Sequence, residues 1–264
     1  MLKVKLTNVA GTFYPGDPEK LQHLMVHYIP TLKKHKKHKK KLKGLIVPHA
    51  GYVYSGPVAG LAYSKLAAHA SSIGRIAVLS PTHYYHLSHI AVLNCAAYET
   101  PLGPIAIDEH YVQHLLDKKL VVDRPDVFEQ EHALEVHLPF IKQVAPYAML
   151  VPLIIGQTNP ENVQKLVDEL IRHDVFIIIS TDLSHFHSYR EARRIDRKTK
   201  TLIEELDYNH LDGEMACGHY PLSGLLKWAG ENKGKIKTLD LRNSGDTAGG
   251  KSRVVGYGSF AIYV

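Results

Sequence analysis

Val175-Phe176-Ile177-Ile178-Ile179 carries no polar side chain and runs straight into Ser180-Thr181-Asp182. A strand this apolar has no face to turn toward water, so it must be covered on both sides. Leu45-Ile46-Val47, Ile76-Ala77-Val78-Leu79 and Leu153-Ile154-Ile155 repeat the pattern, and residues 90–93 read as a further strand. Amphipathic stripes lie between these runs. Asn159-Pro160 starts a helix with Val163, Leu166, Val167, Leu170 and Ile171 on one face. Asp17-Pro18 reads as N-cap and first helical residue ahead of Leu21, Leu24, Met25 and Tyr28, and Asp108 caps a stripe of Tyr111, Val112, Leu115 and Leu116. Gly56-Pro57 is read as opening a helix with Val58, Leu61, Ala62 and Leu66. Residues 131–142 are read as helical despite Pro139, Ser188-x-x-Glu191 as a capping box, and Pro221 as the start of the helix of Leu222, Leu225, Leu226 and Trp228. Residues 238–241 and 254–264 read as two closing strands.

Strand–helix alternation of this kind predicts an α/β protein. The expected form is a single three-layer domain over residues 1–264, with a largely parallel central sheet flanked by helices. Neither an internal repeat nor a Gly/Pro/Ser-rich linker divides the chain.

Charge is unevenly placed. The net charge is +6, but eight lysines fall within residues 33–43, and removing them takes the rest of the chain to −2. The basic character therefore belongs to one Lys-rich loop, read as a solvated connection, and predicts no specific nucleic-acid role. The apolar runs are far shorter than the 18 or so residues of a membrane span. Met1-Leu2-Lys3-Val4-Lys5 lacks the apolar core of a signal peptide, and two cysteines make no disulfide framework. A cytoplasmic protein is the expectation.

Histidine is the unusual residue, with 18 in the chain. Three strands end alike: Val47 leads to Pro48-His49, Leu79 to Ser80-Pro81-Thr82-His83, and Ile179 to Ser180-Thr181-Asp182-Leu183-Ser184-His185. The carboxyl ends of parallel strands share one edge of the sheet, where α/β proteins place their ligand sites. His49, His83, Asp182 and His185 are thereby expected to converge, and converging imidazoles suggest a metal. Cys217, in Ala216-Cys217-Gly218-His219-Tyr220-Pro221, stands just before a helix start, where a thiolate is favoured. Glu131-His132-Ala133-Leu134-Glu135-Val136-His137 fits no zinc-protease signature. On a helix its Glu131 and Glu135 would share a face, read equally as support for the cluster or as a polar surface. The sequence has no phosphate-binding glycine loop and no G-x-S-x-G.

Six segments in order resemble the Memo family: Ala10-Gly11-Thr12-Phe13-Tyr14-Pro15, Val47-Pro48-His49-Ala50-Gly51-Tyr52, Ser80-Pro81-Thr82-His83, Glu131-His132 through His137-Leu138-Pro139-Phe140, Ser180-Thr181-Asp182-Leu183-Ser184-His185 and Cys217-Gly218-His219-Tyr220-Pro221. The family is known in bacteria and archaea from a group that also holds AMMECR-type and radical-SAM proteins. The resemblance implies the fold of class III extradiol dioxygenases, which hold non-haem iron with two histidines and a glutamate, and it implies a cysteine in the glutamate's place. Carried over, His49, His83 and Cys217 are the metal ligands, His185 is the acid/base histidine and Asp182 sits beside it to orient it.

A soft thiolate points to iron or copper, with zinc also accommodated. Two functions then stand open. One is a non-haem metal-dependent, dioxygenase-like oxidoreductase. The other is a non-catalytic module that holds a small molecule or peptide in the same pocket. A zinc hydrolase ranks behind both, because no hydrolase motif accompanies the ligands.

Overall fold

The structure, a computed structural model, describes residues 3–31 and 40–264. The elements run β1 (Val4–Lys5), α1 (Pro18–Tyr28), β2 (Leu42–Val47), α2 (Tyr52–Ala67), β3 (Arg75–Pro81), β4 (Ile90–Val92), β5 (Ala97–Tyr98) and β6 (Ile105–Ala106). Then follow α3 (Glu109–Asp117), β7 (Val122–Asp123), α4 (Leu138–Val144), β8 (Met149–Ile155), α5 (Pro160–Arg172), β9 (Phe176–Ser180), β10 (His185–His187), α6 (Tyr189–Glu205), α7 (His219–Glu231), β11 (Lys235–Asn243) and β12 (Val254–Tyr263).

A sheet ordered β10-β12-β2-β9-β3-β8-β4-β7, with β11 paired to β12, is flanked by helices, which gives a mixed α/β fold. Four adjacent strands at its centre, β2, β9, β3 and β8, are mutually parallel, with Leu45 and Val78 both in register with Ile178. Beyond them the expectation of a largely parallel sheet fails. β12 runs antiparallel to β2, β10 and β11, and β4 runs antiparallel to β8. The tail returns to the sheet without an intervening α-helix, and a direct return of that kind gives antiparallel pairing. The central strands are buried throughout, Leu45–Val47, Ile76–Leu79 and Ile177–Ile179 alike, as their uninterrupted apolar runs require.

Caps read from the sequence hold at Asp17, Asp108 and Asn159, whose side chains accept from the backbone N–H of Lys20, Tyr111 and Asn162. Three readings are corrected. α2 starts at Tyr52, and Pro57 lies inside it. The carbonyl left without a Pro N–H belongs to Val53, which is exposed, so water can satisfy it. Ser188 occupies the N-cap position with no side-chain bond to the helix, and the reciprocal half of the box is missing too, because Glu191 is committed to Arg194 at 2.6 Å. Residues 131–142 form no continuous helix: a short 3₁₀ turn, Glu135–His137, leads into α4, and Glu131 stands outside both. Most of the Lys-rich loop, residues 33–39, lies outside the described residues. Its end is tied down, with Lys41 and Lys43 both on Asp174 at 3.3 and 2.6 Å and Lys43 already within β2.

The helical layer packs tightly where glycine allows it. A Cβ on Gly224 of α7 would stand 2.2 Å from Val163 Cβ of α5, so the two helices meet backbone to side chain. α6 meets β12 similarly at Gly256, where the carboxylate of buried Asp196 covers the backbone and accepts the Ser184 N–H at 3.0 Å. Burial pushes the Asp196 carboxyl up to about 6, from an ordinary 3.8. A carboxyl whose folded pKa is raised holds its proton more tightly folded than unfolded, so stability falls as pH rises from about 4 to 6. Asp196→Asn, which keeps the acceptor for Ser184, is expected to add about 2 kcal/mol at pH 7.5 and nothing below pH 4. Urea midpoints at the two pH values check this, and equal gains at both would refute it.

Candidate metal centre

Because β2, β9 and β3 are neighbours in the same direction, their carboxyl ends deliver His49, Asp182 and His83 to one crevice. Donor atoms of His49, His83 and His132 all lie within 4.8 Å of one another. The His83 and His132 rings stack at 4.9 Å, and His49 stands edge-on to both, at 5.2 and 5.6 Å. Cys217 flanks this group, its Sγ 3.4 Å from His49 Nε2.

The tautomer of His49 follows from its other nitrogen. Nδ1 lies 2.7 Å from Ser180 Oγ, and His137 Nε2 lies 2.9 Å from the same oxygen. Ser180 has a single hydroxyl proton, and it donates to the Ala133 carbonyl at 2.7 Å. Both imidazoles must therefore donate to Oγ. Burial holds the His49 pKa well below its usual 6.5 and that of His137 down to about 3, so each ring has only one N–H to give. His49 Nε2 is left with its lone pair facing the crevice. His137 Nδ1 is likewise an acceptor, and it receives the Tyr63 hydroxyl at 3.0 Å.

Glu131 sets His83 in the same way. Its carboxylate takes the His83 backbone N–H at 2.6 Å, His83 Nδ1 at 2.9 Å and the Ala133 N–H at 2.9 Å. Nδ1–H is thus used, and Nε2 is the free donor. Burial pulls the His83 pKa down, but the hydrogen bond and charge of Glu131 outweigh it and the net direction is up. A carboxylate behind a ligating histidine is the usual support of metal sites.

Asp182 is buried, with Oδ1 accepting the His49 backbone N–H at 2.8 Å and Oδ2 4.0 Å from His49 Nε2. Its own N–H donates to Cys217 Sγ at 3.3 Å, and its carbonyl accepts the Cys217 N–H at 3.3 Å. Burial lifts the Asp182 carboxyl up to about 7. Burial, joined by the nearby Asp182 charge, pushes the Cys217 thiol up to about 12. His185 opens β10, partly buried, close enough to His49 and His83 for their charges to bear on one another. The Asp182 carboxylate takes the His49 N–H and its backbone bonds Cys217 and Thr181, and no hydrogen bond to His185 is found among the described residues.

Four contributors escaped the sequence reading: His132, Ser180, His137 and Tyr63. The reading of residues 131–142 as one helix hid His132, which in the structure lies outside any helix against Phe13, at 4.7 Å, and its buried Nδ1 has no hydrogen-bond partner, with Glu131 Oε1 3.5 Å away.

The residues fit a soft or borderline metal. His49 presents a lone pair fixed by Ser180, His83 has its Nδ1 committed to Glu131 and Nε2 left for an ion, His132 carries a buried nitrogen without a hydrogen bond, and a sulfur completes the edge. The thiol's high pKa does not oppose this, because a bound cation drives thiol deprotonation and favours the thiolate.

Comparison with known proteins agrees with the sequence motifs. The family model described as Memo-like protein matches residues 5–261. A MEMO1 family protein of Saccharolobus solfataricus is 32% identical, covering 96% of this chain and 97% of its own. One from Sulfurisphaera tokodaii is also 32% identical with the same coverage of both chains. Among solved structures, an uncharacterised protein of Escherichia coli K12 superposes with a TM-score of 0.51 at 14% identity, over 82% of this chain and 99% of its own. That last likeness concerns the fold alone.

Proposed function

The chain belongs to the Memo-like family, and from that premise we propose that it is a metal-binding protein with a dioxygenase-like, non-haem redox activity at the His49–His83–Cys217 crevice. The observation that carries the reading is the pairing of a fixed imidazole lone pair with a cysteine sulfur at 3.4 Å. His49, His83 and Cys217 would hold the metal. Their softness favours iron or copper, with zinc accommodated, over magnesium or calcium. Such a metal supplies open positions for oxygen or a small substrate and the capacity to exchange electrons. The chain's own part is to orient and to move protons. Ser180 and Glu131 fix the two imidazoles. His185, whose pKa is lowered by burial, is neutral and able to accept a proton at the crevice. Asp182, with a carboxyl at about 7, holds the His49 backbone and can exchange a proton near neutral pH.

A second reading, a non-catalytic site for a peptide or small ligand, is favoured by one feature. A groove of about 520 Å³ runs beside the crevice, lined by Phe13, Leu24, Tyr28, Gly51 and Tyr54 among others, and Phe13 packs directly on His132. Among the described residues no helix is long and apolar enough to cross a membrane.

The deciding measurement is the metal content of protein purified without oxygen, wild type against Cys217→Ser. The wild type is expected to retain a transition metal, and the serine variant to lose most of it. Equal content in both refutes ligation by the sulfur, and a wild type that takes up no metal on reconstitution overturns the proposal. Oxygen uptake by the loaded protein with a redox-active substrate then separates turnover from simple binding.

A further inference from the structure

A second constellation lies away from the crevice, on helices α3 and α5, and shares no residue with it. His114 of α3, Glu169 of α5 and His173 at the end of α5 bring three donor atoms within 4.8 Å of one another. We propose that these three residues form a second metal site, for zinc or a similar borderline divalent ion, that staples α3 to α5.

Two imidazoles and a carboxylate are a common donor set for zinc. Glu169 and His173 are four residues apart, so one helical turn presents both on the same face, and His114 reaches them from the neighbouring helix. His114 Nε2 and His173 Nε2 stand 2.7 and 3.3 Å from the same oxygen, Glu169 Oε1. Donors around a tetrahedral zinc are about 3.3 Å apart, so His173 already stands at that spacing from Oε1, and His114 has to move out from it by roughly half an ångström. The other carboxylate oxygen, Oε2, is held by Arg172 at 3.2 Å, which orients Oε1 toward the imidazoles. Tyr111 packs on both rings, with centroids 5.5 Å from His114 and 5.4 Å from His173. Glu169 is buried, while both imidazoles are partly exposed, so an ion can enter from solvent.

One group competes. Lys118 Nζ lies 3.3 Å from Glu169 Oε1, where the ion would sit. Its side chain is 45% exposed and borders a cleft of about 340 Å³, so it has room to withdraw. The competition itself makes the proposal testable, since removing this ammonium strengthens metal binding without supplying a ligand.

The experiment titrates metal-free, full-length protein with zinc by calorimetry. It uses the wild type, His114→Gln/His173→Gln, His49→Ala/His83→Ala, and Lys118→Met. The glutamine pair is expected to bind one ion fewer than the wild type, and the alanine pair to keep one ion. Lys118→Met is expected to bind that ion about tenfold more tightly. Equal stoichiometry in wild type and glutamine pair overturns the proposal, as does an alanine pair that binds no zinc. Cobalt keeps the two sites apart, because of the two only the crevice holds a sulfur, that of Cys217, and so gives a sulfur-to-metal charge-transfer band. The glutamine pair is expected to keep that band, and a wild type that binds a single ion, lost in the glutamine pair, would support this site while refuting the crevice reading.

Discussion

Glu135→Ala is expected to lower the unfolding free energy by about 4 kcal/mol, the scale of breaking a buried, multiply bonded charge. Glu135 is fully buried and gathers four donors. Its Oε2 accepts the Asn8 N–H at 2.6 Å and the Tyr98 hydroxyl at 3.5 Å, and its Oε1 accepts the Val9 N–H at 2.9 Å and the Tyr14 hydroxyl at 2.7 Å. Removing the carboxylate leaves those donors unpaired in the interior, which costs more than the bonds themselves contributed. The damage also travels to the crevice. Residues 8–14 turn back on themselves through Gly11, at φ +86°, with its N–H on the Tyr14 carbonyl at 2.7 Å. From that turn the Phe13 carbonyl accepts the N–H of Tyr52, the first residue of α2, at 2.8 Å, and the Phe13 ring packs on His132. Glu135→Gln keeps one acceptor but aims an amide N–H at a donor, so an intermediate loss is expected. Urea denaturation measures the energy, and hydrogen exchange at Asn8 and Val9 measures the local release. A loss below about 1 kcal/mol for the alanine variant would show that water replaces the carboxylate.

Glu135 also marks where sequence reasoning stopped. Its spacing from Glu131 places the two on one face only if residues 131–135 are helical. They are not, so Glu131 supports His83 while Glu135 anchors the N-terminal segment. The central strands were legible because an apolar run of three to five residues admits few placements, and the histidines after them were legible because parallel neighbours end together. Cys217 was reached through its motif, which leads into α7, and the structure sets its sulfur against His49. The path from His49 through Ser180 and His137 to Tyr63 left no trace in periodicity. It joins residues from four separate segments, and beyond His49 each alone reads as an ordinary polar residue. The antiparallel tail was equally silent, since residues 254–264 would look the same in a strand of either direction.

That buried path governs the largest effect expected at the crevice. His49→Ala removes the imidazole that faces the Cys217 sulfur, and it is expected to abolish transition-metal retention by the pocket. Ser180→Ala leaves every proposed ligand in place and is still expected to weaken binding by about 10–100-fold, the usual consequence of losing the partner behind a ligating histidine. Without the hydroxyl, neither His49 Nδ1 nor His137 Nε2 has its acceptor, and the Ala133 carbonyl loses its donor. His49 is then free to carry its proton on Nε2, the nitrogen that faces Cys217. Nitrogen chemical shifts of the His49 ring in metal-free protein read the tautomer directly: Nδ1–H in the wild type, and a growing Nε2–H population in the alanine variant. Ser180→Thr, which restores a hydroxyl at the same place, is expected to return both the tautomer and most of the affinity. An unchanged tautomer with unchanged affinity in Ser180→Ala would mean that the crevice holds His49 by packing alone. A changed tautomer with unchanged affinity would mean that the metal does not use His49 Nε2.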